Sequence, residues 1–95
     1  MADFIKDIEA VLDYIADWSA WLAEGETILT ATVSSLGACV VDSSEISNAD
    51  SAVTFWISGG IKNKECVIRC KITTSASRTD ARSIVILCKD KRESR

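Results

Sequence analysis

From Glu65 to Thr74 the chain alternates residue by residue, with Cys66, Ile68, Cys70 and Ile72 on one side and Arg69, Lys71 and Thr73 on the other. A period of two lines up an apolar row and a polar row on opposite faces of an extended strand. A helix would scatter the same residues around its circumference, so this stretch demands a sheet with one dry face. Residues 52–57 obey the same rule, turning Val53, Phe55 and Ile57 inward and Trp56 to the opposite face, before Ser58-Gly59-Gly60 marks a tight reversal. Residues 27–33 are rich in β-branched side chains and read as a strand, which Ser34-Ser35-Leu36-Gly37 is expected to break. Residues 38–41 form another short run, closed by the polar stretch 42–50, and after a loop over 75–80 the apolar run 83–89 is the last strand.

The first quarter of the chain reads two ways. Over residues 4–22 the apolar residues Phe4, Ile5, Ile8, Val11, Leu12, Ile15, Trp18 and Leu22 recur at threes and fours, as on one helical face. Within it, Leu12, Tyr14, Ala16 and Trp18 also share one side of a strand over 12–18. Periodicity alone favours the helix. Gly25, in Glu24-Gly25-Glu26, supplies the turn that ends this element. Several short runs parted by polar turns, with no crossover helices between them, predict an antiparallel sandwich.

A chain of 95 residues has room for one domain and one core. Its longest uncharged run, residues 27–41, is broken by Thr, Ser and Gly and is too polar to cross a bilayer, so no membrane partner is expected. Met1-Ala2-Asp3 starts on an acidic residue rather than the basic opening of a secretory signal, which predicts a product made and assembled in a cytosol. Charge is unevenly spread. Ten acidic residues from Asp3 to Asp50 face Lys6 alone, whereas the second half is basic. A basic half suggests nucleic acid, but no aromatic is interleaved with the late Lys and Arg residues as a base-stacking surface needs. The expectation is that acidic and basic strands offset each other across the sheet, with nucleic acid not the partner.

Cys39, Cys66, Cys70 and Cys88 lack the paired short spacings of zinc knuckles, and there is no histidine. No metal and no cofactor are expected. Cys66 and Cys70 lie about 13 Å apart on one strand face, beyond disulfide reach, while bridges from either to Cys39 or Cys88 stay open. In a reducing cytosol four buried thiols are the expectation.

Without histidine, the usual general base and the Ser-His and Cys-His nucleophile pairs are missing. Asp13 with Asp17, or Glu24 with Glu26, could imitate a glycosidase pair but reads as solvated acidic residues on faces and turns. Gly59-Gly60 before Lys62 lacks the spacing of a phosphate loop. No catalytic residues are therefore assigned, and protein binding is the default. Tryptophan is enriched at interface hot spots: Trp18 is read as core, and Trp21 and Trp56 as candidate partner-binding residues.

The ordered set Leu12-Asp13-Tyr14, Asp17-Trp18-Ser19, Trp21-Leu22 and Gly25-Glu26-Thr27-Ile28 resembles the start of a family of small tailed-phage and prophage structural proteins. Val53-Thr54-Phe55-Trp56-Ile57-Ser58-Gly59-Gly60, then Ile72-Thr73-Thr74, Arg78-Thr79-Asp80 and Arg82-Ser83-Ile84, continue the likeness, which runs from about Lys6 to Lys89. These are fiber–tail adaptor-like virion proteins. Where members commonly carry proline after a Lys-Asp pair, Ile8 follows Lys6-Asp7; the four cysteines and the lack of proline are also departures.

The resemblance implies an immunoglobulin-like antiparallel β-sandwich of six to seven strands, and it decides for a strand over 12–18. The expected division is an N-terminal arm over 1–11 with room for a short helix, a sandwich over 12–89 and a charged, frayed tail over 90–95. The implied function is non-enzymatic: a virion component, assembled in the host cytoplasm, that joins tail or baseplate parts to fibers. Its partners would be phage tail, baseplate or fiber proteins, with a homo-oligomeric ring in the particle. The alternatives are a cytosolic prophage-encoded regulatory binder and a nucleic-acid-associated protein using the basic half.

Overall fold

The computed structural model describes residues 3–90. Seven strands run in chain order: β1 Phe4–Asp7, β2 Leu12–Asp17, β3 Ile28–Leu36, β4 Cys39–Ser47, β5 Ala52–Gly59, β6 Glu65–Thr74 and β7 Thr79–Lys89. They form a four-stranded sheet in the order β1-β7-β6-β3 and a three-stranded sheet in the order β2-β5-β4. This is the strand arrangement of the immunoglobulin-like sandwich, with the first strand carried over to the last. β1 pairs with β7 in parallel, and every other pairing is antiparallel.

The alternating stretches behave as their pattern requires. Ile68, Cys70 and Ile72 of β6 face Val53, Phe55 and Ile57 of β5 across a closed interior. Trp18, Ile28 and Ile86 complete it, and all four cysteines are buried free thiols.

Several expectations need correction. Residues 4–11 hold no helix: Phe4–Asp7 is β1, hydrogen-bonded to the last strand. The segment 34–36 does not break β3, because Ser34 and Leu36 point outward and pair with Arg69 and Val67 as an exposed strand face allows. The polar residues Asp42–Ser47, expected as loop, extend β4 along β5. β4 is an edge strand, and besides its backbone pairing it sets Cys39, Val41 and Ile46 against the core. Thr79 to Arg82 likewise lengthen β7 beyond the apolar run. Of the tail expected over 90–95, residues 91–95 lie outside the described residues.

Charges are arranged differently from the expected offset across one sheet. Asp13 and Asp17 on β2, with Asp42 and Glu45 on β4, flank the uncharged β5 in the three-stranded sheet. Arg69 and Lys71 sit on β6 of the other sheet, next to the uncharged β3. Strand order, not register, therefore gathers acidic residues in the three-stranded sheet, while the outward side of β6 carries Arg69 and Lys71 with Glu65.

Candidate functional site

The three tryptophans occupy three different kinds of place. Trp18 follows β2 and is wholly buried; its indole N–H donates to Asp80 Oδ2 at 2.9 Å, and the Arg82 guanidinium lies 4.7 Å over its ring. It belongs to the core, as its spacing implied. Trp21 sits in the turn that follows, half-buried, its backbone N–H donating to the Trp18 carbonyl at 2.8 Å. The Arg78 guanidinium covers its ring at 3.9 Å, and Arg78 Nη2 donates to the Trp21 carbonyl at 3.2 Å. Trp56 is set apart from both. It stands on the outer face of the middle strand of the three-stranded sheet, 42% exposed, with Asp13 opposite on β2 and Ser43 opposite on β4.

Around Trp56 the neighbouring rows continue this surface. Exposed Ile15 and Val40 lie on the flanking strands, and Asp13, Asp17, Asp42 and Glu45 give the face an acidic rim. An apolar centre within a polar rim is the anatomy of a protein-binding patch. Trp21 and Trp56 do not converge: one is tied into the loop end by Arg78, the other is central on a sheet. Sequence periodicity found Trp56 through its alternation with Phe55 and Ile57. It could not find the acidic rim, because Asp13 and Glu45 become neighbours of β5 only through the strand order.

The loop end is held by Glu26. Its carboxylate accepts from the Arg78 guanidinium, from the Thr74 hydroxyl at 2.5 Å and from the Ala23 backbone N–H at 2.8 Å. Hydrogen bonds from Arg78, then Thr74, then Ala23 hold its pKa down to about 2 from the usual 4.5. A carboxyl whose pKa falls on folding adds stability above its usual value and loses it as pH drops through the folded value. Thermal melts of the wild type and Glu26→Gln should therefore differ most above pH 4.5 and converge as pH falls towards about 2. A difference that stays constant over that range would show that the charge of Glu26 is not what holds the turn.

The sequence matches the model of a family described as podophage GP4 fiber-tail adaptor protein gp77, over residues 6–87. That span runs from β1 to β7 and takes in part or all of every strand of both sheets. The chain belongs to this family. Among curated proteins none matches the chain. Membership of the adaptor family assigns a structural tail adaptor role, with phage tail and fiber proteins as the kind of partner.

Proposed function

We propose that the chain is a non-enzymatic joint of a podophage virion, fastening tail or baseplate parts to fibers, and that it is assembled in the host cytoplasm. The family match across residues 6–87 is the observation that carries this reading. The Trp56 face is the proposed main contact, with Trp21 contributing at the loop end. A tryptophan on a sheet face brings a large rigid contact area with little side-chain entropy to lose.

In the particle, copies are proposed to repeat one contact around a ring, as closed symmetric assemblies do. The acidic three-stranded face and the basic patch of Arg69 and Lys71 support a head-to-tail contact of that kind. Repetition lets individually weak contacts suffice. The regulatory and nucleic-acid readings have no observation in their favour comparable to the family match.

Purified virions test the reading. The chain is expected among their proteins, and its absence there would remove the adaptor role. For the contact itself, Trp56→Ala should weaken binding to particles assembled without the chain by about 30-fold, or about 2 kcal/mol. Its melting temperature should hardly change, because the ring is outside the core. Wild-type binding by Trp56→Ala would move the contact to another surface.

A further inference from the structure

Three of the four thiols come together although no spacing in the sequence pairs them. Cys39 opens β4 in the three-stranded sheet, while Cys66 of β6 and Cys88 of β7 belong to the other. Their sulfurs all lie within 4.8 Å of one another, with Cys39 Sγ and Cys88 Sγ 3.6 Å apart. The Cys39 backbone N–H also points at Cys66 Sγ, at 3.2 Å. Three sulfurs bound in a plane at about 2.3 Å from a metal are about 4 Å from each other. The existing spacing is therefore close to that of a three-coordinate site.

We propose that Cys39, Cys66 and Cys88 form a trigonal sulfur site for a soft d10 ion, copper(I) being the class that fits best. Thiolates select copper(I), zinc and iron–sulfur clusters. Zinc requires a fourth ligand, and among the described residues no carboxylate joins the three thiols, nor is there any histidine in the chain. Copper(I) is satisfied by two or three sulfurs.

Charge also fits. In the metal-free protein the three cysteines are free thiols. Binding one copper(I) with loss of two protons leaves two thiolates and one neutral thiol on the ion, a complex of charge −1. An unpaired buried anion would be costly, but Lys6 is the neighbour. It is paired in register with Cys88, fully buried, and its ammonium donates to the Gly59 carbonyl at 2.7 Å, one residue before Gly60. A buried lysine beside three thiols is otherwise an odd use of a small core.

Access is through glycine. A Cβ added at Gly60 would lie 2.5 Å from Cys88 Sγ, and one at Gly37 would lie 3.3 Å from Cys66 Sγ. The backbone at Gly60 and Gly37 therefore lies against the sulfurs at this end, and Gly37 is exposed.

The inference is independent of the adaptor reading. The full chain, reduced and kept without oxygen, is titrated with copper(I) as its acetonitrile complex and then challenged with a copper(I) chelator. One ion per chain should be retained, with an ultraviolet sulfur-to-copper band, release of two protons and a higher melting temperature by mass action. Cys70→Ala is the control, since Cys70 is equally buried but lies along β6 outside the cluster. It should bind as wild type, whereas Cys66→Ala and Cys88→Ala should each lose at least 100-fold in affinity. If both variants unfold, the wild-type stoichiometry and proton count decide. Failure of the wild type to retain copper(I), or equal loss in Cys70→Ala, overturns the site.

Discussion

Trp18→Ala is expected to destabilise the domain by about 3–5 kcal/mol, the range for removing a large aromatic from a packed core. A chain of this length has only about 5–14 kcal/mol in total, so the variant should lose a large fraction of its stability. The position explains the size of the effect. Trp18 is fully buried, its backbone N–H bonds the Ser51 carbonyl at 2.9 Å, and its indole N–H reaches Asp80 on β7. One residue thus ties the end of β2 to the opposite sheet. Trp18→Phe keeps a six-membered ring but abandons the polar link and the volume of the pyrrole ring, and about 1–3 kcal/mol should be lost. Urea unfolding followed by circular dichroism measures both. A Trp18→Ala variant within about 1 kcal/mol of wild type would mean that this end of the core tolerates a cavity far better than packed interiors do.

How much of this could be read from residues alone depends on which side of each strand faces water. β5 and β6 were legible because both alternate cleanly against a dry interior: Val53, Phe55 and Ile57 on one, Cys66, Ile68, Cys70 and Ile72 on the other. The N-terminal segment was not. Phe4, Ile5, Val11, Leu12 and Ile15 are all exposed, and these surface apolar residues create the recurrence at threes and fours that imitates a helix. β1 hides itself a second way, by turning Lys6 inward, where patterning rules expect an apolar side chain. The family resemblance settled β2 where periodicity could not. β4 was cut short for another reason: beyond Val41 only Ile46 is apolar, too little to show a period of two, and the pairing of Ser43 to Ser47 with β5 continues the strand.

The candidate surfaces were less legible than the fold, since they depend on which strands become neighbours. Trp56 was found by its own alternation. The charge segregation was visible as an acidic first half and a basic second half, yet sequence order could not tell offset within a sheet from opposition between faces. The answer lies in the strand order, which puts the acidic β2 and β4 on either side of the uncharged β5 in one sheet and β6, with Arg69 and Lys71, in the other. For the thiols, distance along one strand correctly separated Cys66 from Cys70. It said nothing of Cys39, which meets Cys66 and Cys88 only because the chain passes from β3 in one sheet to β4 in the other.

That crossing end also yields the other large effect, at Gly60. Here the chain leaves β5 for β6 with φ +114°, and a methyl group at Gly60 would stand 2.5 Å from Cys88 Sγ, 3.2 Å from Cys88 Cβ and 3.5 Å from Cys39 Sγ. Gly60→Ala should lose about 1–3 kcal/mol to backbone strain and about 1–3 kcal/mol more to overpacking. Two comparisons separate these. Gly25 also has positive φ, +78°, but an added Cβ there meets nothing within 4 Å, so Gly25→Ala reports the conformational part alone. Cys88→Ala removes the sulfur that the new methyl would strike, so the double variant Gly60→Ala/Cys88→Ala should be more stable than the sum of its single changes predicts. Denaturant midpoints of the four chains give the coupling directly. If Gly60→Ala is no worse than Gly25→Ala, or if removing Cys88 Sγ gives no relief, the turn does not press on the sulfur cluster. The access route to the three thiols would then have to be sought elsewhere on the sandwich.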